Sequence, residues 1–383
     1  MKSIRTAFAL IAIVLLAQAV PLLAAPADLD TTFSGTGKVT TAIGSGEDTA
    51  LNVAVQFDGK ILVAGKTHNG SNYDFALVRY NANGSLDTTF NLTGRVTTAI
   101  GSGDDVAKRV AVQSDGKILL AGDYYDGSNY HLAVVRYNSD GSLDTTFNDT
   151  GKATTSISTT NDSCYGLALQ GNGKIVVAGS AVIAGSVDFA VVRYNADGSL
   201  DTTFNGTGKV TTPVGSSSDY ATDVVLQSDG KIVLTGVAFN GSNDDIALAR
   251  YNANGSLDTT FNGTGKVITT LGASTHEEGE CVAMQNDGKI LVGGWYYGAG
   301  NNDFALVRYN ANGSLDTTFN GTGKVTTAVG TGNDYCQGLA VQTDGKILLA
   351  GYAAVSGSSD VAVVRYNTDG SLEIGRASCR ERV

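Results

Sequence analysis

The chain has 383 residues, with 26 Lys and Arg against 37 Asp and Glu, a net charge of −11. That balance argues against nucleic acid, which needs Lys and Arg facing phosphates, and against an anionic membrane surface. Forty-nine glycines and only three prolines, with abundant Thr, Ser, Asn and Val, suit short strands and tight turns rather than helices.

Residues 1–27 read as a secretory signal. Lys2 and Arg5 give a positive start, Ala7 to Ala17 is apolar, and Ala25-Pro26-Ala27 supplies small residues for cleavage, leaving Asp28 first. No other segment approaches the roughly 20 apolar residues that span a bilayer. The expectation is a protein that is secreted, periplasmic or at the cell surface.

From Leu29 one unit recurs. Arg-Tyr-Asn begins at Arg79, Arg136, Arg193, Arg250, Arg308 and Arg365, in steps of 57, 57, 57, 58 and 57 residues. A fixed period of this size marks a repeat architecture. Each unit opens with a Gly-rich turn and a Thr-rich stretch such as Lys38 to Ile43. Leu51 to Gln56 follows, then the hairpin signal Asp58-Gly59, Lys60 to Gly65, a variable loop, and Asp74 to Tyr80. A second turn, Asn83-Gly84, leads to Leu86-Asp87. Four short strands per unit predict an all-β fold, a β-propeller of six four-stranded blades. A β-solenoid is the second architecture considered, but it needs no pair of hairpin turns in each unit. Compact apolar stretches such as Leu167 to Leu169 suit the innermost strand, and the Thr-rich strand suits the outer edge. This phasing lets residues 28–43 close the last blade, with a seventh blade if a further unit follows.

The period stops at Leu372. Residues 373–383 match, codon for codon, the translation of a common sequencing adapter and are expected to be an artefact outside the propeller of residues 28–372. Without both ends the net charge is about −14. Cys379 falls in this tail. Cys164, Cys281 and Cys336 are odd in number and scattered, which is no disulfide framework, and small buried residues are expected there.

The recurring Leu-Asp-Thr-Thr-Phe-Asn-Gly-Thr-Gly-Lys-Val, Gln-x-Asp-Gly-Lys-Ile and Arg-Tyr-Asn-x-Asn/Asp-Gly-Ser resemble the delta-60 repeat family over nearly all of residues 28–372. The resemblance implies an exported bacterial tandem-repeat protein of propeller type. It brings no active site to carry over.

In an up-and-down blade the Asp-Gly-Lys and Asn/Asp-Gly-Ser turns share one face, and the two variable loops share the other. Aromatics on the variable face, Tyr124, Tyr125, Phe239, Trp295, Tyr296, Tyr297 and Tyr352, are candidate ligand anchors. Drift in unconstrained loops is the competing account. Eight residues before each recurring Gln lies an acid: Asp48, Asp105, Asp162, Asp219, Glu277 and Asp334. Six carboxylates at the channel mouth would favour a divalent cation such as calcium. The competing account is a turn held by each side chain on its own backbone.

Asp74, Asp188, Asp245, Asp303 and Asp360 precede the recurring Arg by five residues, with His131 in the remaining unit. An Asp–Arg pair ordering the blades is expected there. Asn195 to Asp201 is loosely calcium-loop-like but lacks the distal glutamate. The three histidines are scattered, and no zinc spacing or nucleophile elbow stands out. The reading is an exported, monomeric, non-catalytic scaffold for a glycan or protein partner. Two alternatives are a propeller hydrolase or lyase using a divalent cation at the axial mouth, and a purely structural cell-surface component.

Overall fold

The computed structural model describes residues 29–373 except 274, 299 and 356. The signal segment 1–27 and residues 374–383 of the tail lie outside the described residues. The fold is a six-bladed β-propeller. The first blade holds β1 (Asp48–Val55), β2 (Ile61–His68), β3 (Tyr73–Tyr80) and β4 (Arg95–Thr98). The second holds β5 (Val106–Val112), β6 (Ile118–Tyr125), β7 (Tyr130–Tyr137) and β8 (Lys152–Thr155). The third holds β9 (Asp162–Leu169), β10 (Ile175–Ile183), β11 (Ser186–Tyr194) and β12 (Lys209–Thr212). The fourth repeat supplies β13 (Asp219–Leu226), β14 (Ile232–Phe239), β15 (Asp244–Tyr251) and β16 (Lys266–Thr269). The fifth has β17 (His276–Met284), β18 (Ile290–Gly298), β19 (Asn301–Tyr309) and β20 (Lys324–Thr327). The sixth has β21 (Asp334–Val341), β22 (Ile347–Val355) and β23 (Ser358–Tyr366). The one helical piece among the described residues is a 3-10 turn at Phe90–Leu92.

Two compact units divide these elements. The first holds β1 to β13 and the second holds β14 to β23. Within each sheet the strands run antiparallel in chain order, so the first strand and the Thr-rich fourth strand are opposite edges. The turns follow the Gly signals: Gly59 and Gly84 sit at φ 81° and 80°, a region that costs glycine nothing.

In the first five blades the second and third strands, rather than the first, are the most buried, because both lie inside the sheet with side chains packed on their faces. In the first unit Leu62, Phe75 and Leu77 pack on Ile118, Leu120 and Val135. Leu119, Leu132 and Val134 pack on Ile175, Val177 and Val192. In the second unit Phe304 and Leu306 pack on Ile347 and Leu349. Full burial of such side chains stabilises by about 1.5–3 kcal/mol each. Cys164, Cys281 and Cys336 are buried, as expected.

The sixth sheet is three-stranded, and residues 38–43 form no strand. The expected pairing of the N-terminal segment along β23 is therefore not among the described strands. Residues 30–43 instead lie along the first blade. Ser34 donates its N–H to the Asn83 carbonyl at 2.7 Å, and the Tyr80 hydroxyl bonds Thr41 at 2.7 Å. Between consecutive blades the same contacts run from Asn91 to Asp140 (2.7 Å) and between Tyr137 and Thr98 (2.6 Å). Val361 and Val363 on β23 are 81% and 61% exposed, whereas Ile246 and Leu248 at the matching places are fully buried.

The recurring motifs meet in one ionic knot. Asp201 accepts from Arg193 Nε and from Lys174 Nζ, both at 2.6 Å, and the Arg193 guanidinium lies over the Phe204 ring at 4.4 Å. Arg193 Nη1 also donates to the Ala253 carbonyl of the next repeat. The first blade repeats this with Arg79, Asp87, Lys60 and Phe90. The recurring Arg thus pairs with the Asp of Leu-Asp-Thr-Thr-Phe, correcting the expected partner at Asp74. Residues five apart on a strand point to opposite faces, whereas the Asn83-Gly84 turn carries Asp87 back until its N–H bonds the Arg79 carbonyl at 2.9 Å. In the sixth repeat Glu373 takes the aspartate's place, pairing with Lys346 at 2.8 Å and with Arg365.

Burial works against ionisation, but the Thr89 hydroxyl and amide and the Arg79 guanidinium hold Asp87 down at about 2. The Asn195 to Ser199 stretch is a closed turn: Ser199 N–H reaches Asp197 Oδ1 at 2.9 Å and Asn195 N–H the Ser199 carbonyl at 2.8 Å. Its oxygens hold the turn.

A tyrosine joins consecutive blades. Buried Tyr194 bonds Thr155 Oγ1 at 2.7 Å. Tyr194→Phe is expected to cost about 1–3 kcal/mol, because the Thr155 hydroxyl is then stranded in the core. A urea midpoint unchanged from wild type would contradict this; Thr155→Val together with Tyr194→Phe should recover part of the loss.

Candidate functional site

The variable aromatics are on strands, not loops. Tyr124 and Tyr125 end β6, Phe239 ends β14, Trp295, Tyr296 and Tyr297 lie in β18, and Tyr352 lies in β22. Pairing runs to the strand ends, Tyr125 opposite Tyr130 and Tyr297 opposite Asn302, so the connecting turns are shorter than the sequence suggests.

In the second unit three rings gather. Trp295 meets Tyr335 edge-on at 5.5 Å between centroids, and Tyr335 lies 5.1 Å from Tyr352. Trp295 Nε1 donates to Glu280 Oε1 at 3.3 Å. All four side chains are half-buried, leaving ring edges and a carboxylate accessible together. Tyr297 is exposed, and Tyr296 packs beside Gly298. In the first unit the rings of Tyr125 and Tyr130 lie 5.1 Å apart, and those of Tyr124 and His131 6.1 Å. The Phe239 carbonyl accepts the Ser216 N–H at 2.8 Å.

A β-bulge shapes these clusters. In the first strand one residue has no partner: Leu51, Lys108, Tyr165, Glu280 or Gln337. A bulge re-aims the extra side chain. Lys108 pairs with Asp123 and lies 4.1 Å above the Tyr165 ring. Glu280 reaches Trp295. The bulged residue and the residue after the second-strand glycine (Lys66, Asp123, Ser180, Trp295, Tyr352) both change from blade to blade. Sequence reasoning missed Tyr335 and the bulged residues. The signal available was position: Tyr335 directly follows the recurring acid Asp334.

The acids themselves anchor loops. Asp105, Asp162, Asp219, Glu277 and Asp334 are buried and Asp48 is half-buried. Asp48 accepts Ile43 N–H at 2.8 Å, Asp105 accepts Ile100 N–H at 2.6 Å, and Asp162 accepts Ile157 N–H at 2.7 Å. Glu277 accepts Leu271 N–H at 3.3 Å, and Asp334 accepts Val329 N–H at 2.7 Å. The bonds run to backbone four to six residues upstream, so each side chain closes the loop before its strand. Carboxylates meeting amide donors suit a loop clasp better than a calcium shell of oxygens. Among the described residues no three His, Cys, Asp or Glu gather as a metal site. Burial raises Asp105, against the amides that favour its charge.

No curated protein matches the chain. Among solved structures, a protein from Lactobacillus plantarum aligns with TM-score 0.52 at 13% identity, over 91% of this chain and 89% of its own. A polysaccharide lyase, an ulvan lyase, aligns with TM-score 0.46 at 10% identity, over 83% and 78%. Chaetomium thermophilum Sqt1 aligns with TM-score 0.43 at 13% identity, over 86% and 72%. These likenesses concern fold alone. A family model described as a β-propeller domain of unknown function matches residues 56–90, 113–147, 170–204, 227–261, 285–319 and 342–373. With six matched segments spread over the repeats, each starting at the Gln before the Asp/Asn-Gly-Lys turn and the first five ending on the Phe of Leu-Asp-Thr-Thr-Phe, the chain belongs to that β-propeller family.

Proposed function

We propose that the chain is an exported, non-catalytic propeller scaffold that binds a glycan or a protein partner through its variable strand ends. The observation that carries this reading is the cluster of Trp295, Tyr335 and Tyr352 with Glu280 at its edge. Half-buried aromatic faces bury large area at low entropic cost, and a carboxylate beside them orients hydroxyl or amide donors. The scaffold does not dictate these residues, since other blades carry Lys66, Asp123 or Ser180 at the Trp295 place without loss of the strand.

A glycan array and a capture experiment with the full chain test it. Trp295→Ala with Tyr352→Ala is expected to weaken the recovered interaction by about 2 kcal/mol per ring, roughly thirty-fold each. Equal signal from wild type and variant, with both melting alike, would remove the cluster from any binding role.

A further inference from the structure

We propose that Asp245 and Glu277 hold one proton between them, and that its loss loosens the junction of β15 with β17, making this part of the second unit sensitive to pH. This is independent of the binding reading. Asp245 is 2% exposed and Glu277 is fully buried. Both Asp245 oxygens accept from amides, Oδ2 from Asn240 at 2.6 Å and Oδ1 from Asn243 at 3.3 Å. Glu277 Oε1 accepts from Leu271 N–H and from the Thr275 hydroxyl. Among the described residues Glu277 Oε2 has no donor, yet its carboxyl lies within hydrogen-bond reach of Asp245.

Two acceptors cannot bond without a hydrogen between them, and two buried charges at this range repel strongly. The amides mark Asp245 as the carboxylate, so the proton belongs on Glu277 Oε2 and is donated to Asp245. Burial, then the Asp245 contact, push Glu277 up to about 7.

The other junctions show the same need met differently. His131 stands where Asp245 stands, and its Nδ1 lies 2.9 Å from Asp162. There an imidazole supplies the hydrogen. At the Asp74–Asp105 junction the buried Asp74 Oδ1 also lacks a partner among the described residues, and burial first, then Asp74 to a lesser degree, raises Asp105. Asp334 likewise raises Asp303, after burial. Glu277 is one methylene longer than the aspartates at its place, which brings it to Asp245.

Other ionisable groups surround the pair. β15 adds Asp244, which lies 3.7 Å from His276 of β17. β17 also carries Glu278. Tyr296 of β18 stands opposite Glu277, and Asp303 of β19 stands opposite Tyr296. β21 brings Asp334 toward Asp303. β14 has no ionisable side chain.

The sign follows from linkage. An unfolded Glu releases its proton near 4.5, and the folded pair keeps it to about 7. Folding takes up a proton between those values, so the contribution is complete below the lower one and is lost as pH rises through the upper. Thermal unfolding of the full chain from about pH 5 to about pH 9 should show a wild-type Tm that falls through neutrality. Glu277→Gln and Asp245→Asn should each flatten that fall and melt above wild type on the alkaline side. The infrared carbonyl stretch of a protonated carboxyl should be present in slightly acidic wild type and lost in both variants. An equal Tm slope in wild type and both variants would overturn the proposal. So would an alkaline wild-type Tm restored by calcium alone, since a cation rather than a proton would then occupy the pair.

Discussion

Gly179→Ala is expected to destabilise the chain by on the order of 4 kcal/mol or more, beyond the range of ordinary substitutions. A methyl group there would stand 1.8 Å from the Ser163 carbonyl oxygen and 3.1 Å from Cys164 Cα. Both atoms are backbone, so no rotamer change relieves the overlap. The cause is the bulge, which steps the pairing from Ala178–Gly166 to Gly179–Cys164 and drives one strand onto the other. The same approach recurs at Gly65, Gly122, Gly294 and Gly351, each within 1.8 to 1.9 Å of a carbonyl oxygen. Gly171→Ala is the matched control, since a methyl there meets nothing within 4 Å. Urea denaturation of the two variants decides the matter. Coincident midpoints would show that the bulge relaxes at little cost.

Asp201→Ala ranks second, at about 3–5 kcal/mol, the usual cost of stranding one partner of a buried pair. It would leave the Arg193 guanidinium in the core, 4% exposed, with Lys174 also unpaired. Charge, not shape, is the issue, so Asp201→Asn should recover little. The difference from wild type is expected to shrink in strong acid. Though burial opposes it, the Lys174, Thr203 and Arg193 bonds keep Asp201 far below the ordinary carboxylate range. A depressed carboxylate adds stability that is full above its unfolded value, near 3.8, and lost as pH falls through the folded one. Acid titration of circular dichroism for both proteins tests this; a gap that stays constant to the lowest pH would refute the ionic origin.

Most of the architecture was legible because the chain repeats itself. Copies that agree at Asp58-Gly59 and Asn83-Gly84 fix the turns, and the strands follow between them. The partner of Arg79 was not legible from spacing on one strand, because a return through a turn brings Asp87 closer than Asp74. Tyr335 was hidden for a different reason. It joins Trp295 from the following repeat, and in its own repeat it reads as an ordinary strand residue. The bulged positions were invisible because an extra residue shifts no motif when the copies share it, as five do here. The recurring acids were found, and their spacing left a loop clasp and a cation cradle both open, since it does not show where a side chain's bonds run.

The Arg193 link to the next repeat has an evolutionary corollary. Each guanidinium grips the carbonyl of whichever module follows, and Arg79, Arg136 and Arg308 do the same some sixty positions ahead. In-frame gain or excision of a whole module would hand each grip an equivalent carbonyl, so copy number can drift by recombination while the joints persist. The exceptions are matched joints such as His131 with Asp162 and Asp245 with Glu277, where a reshuffled neighbour would meet the wrong proton inventory.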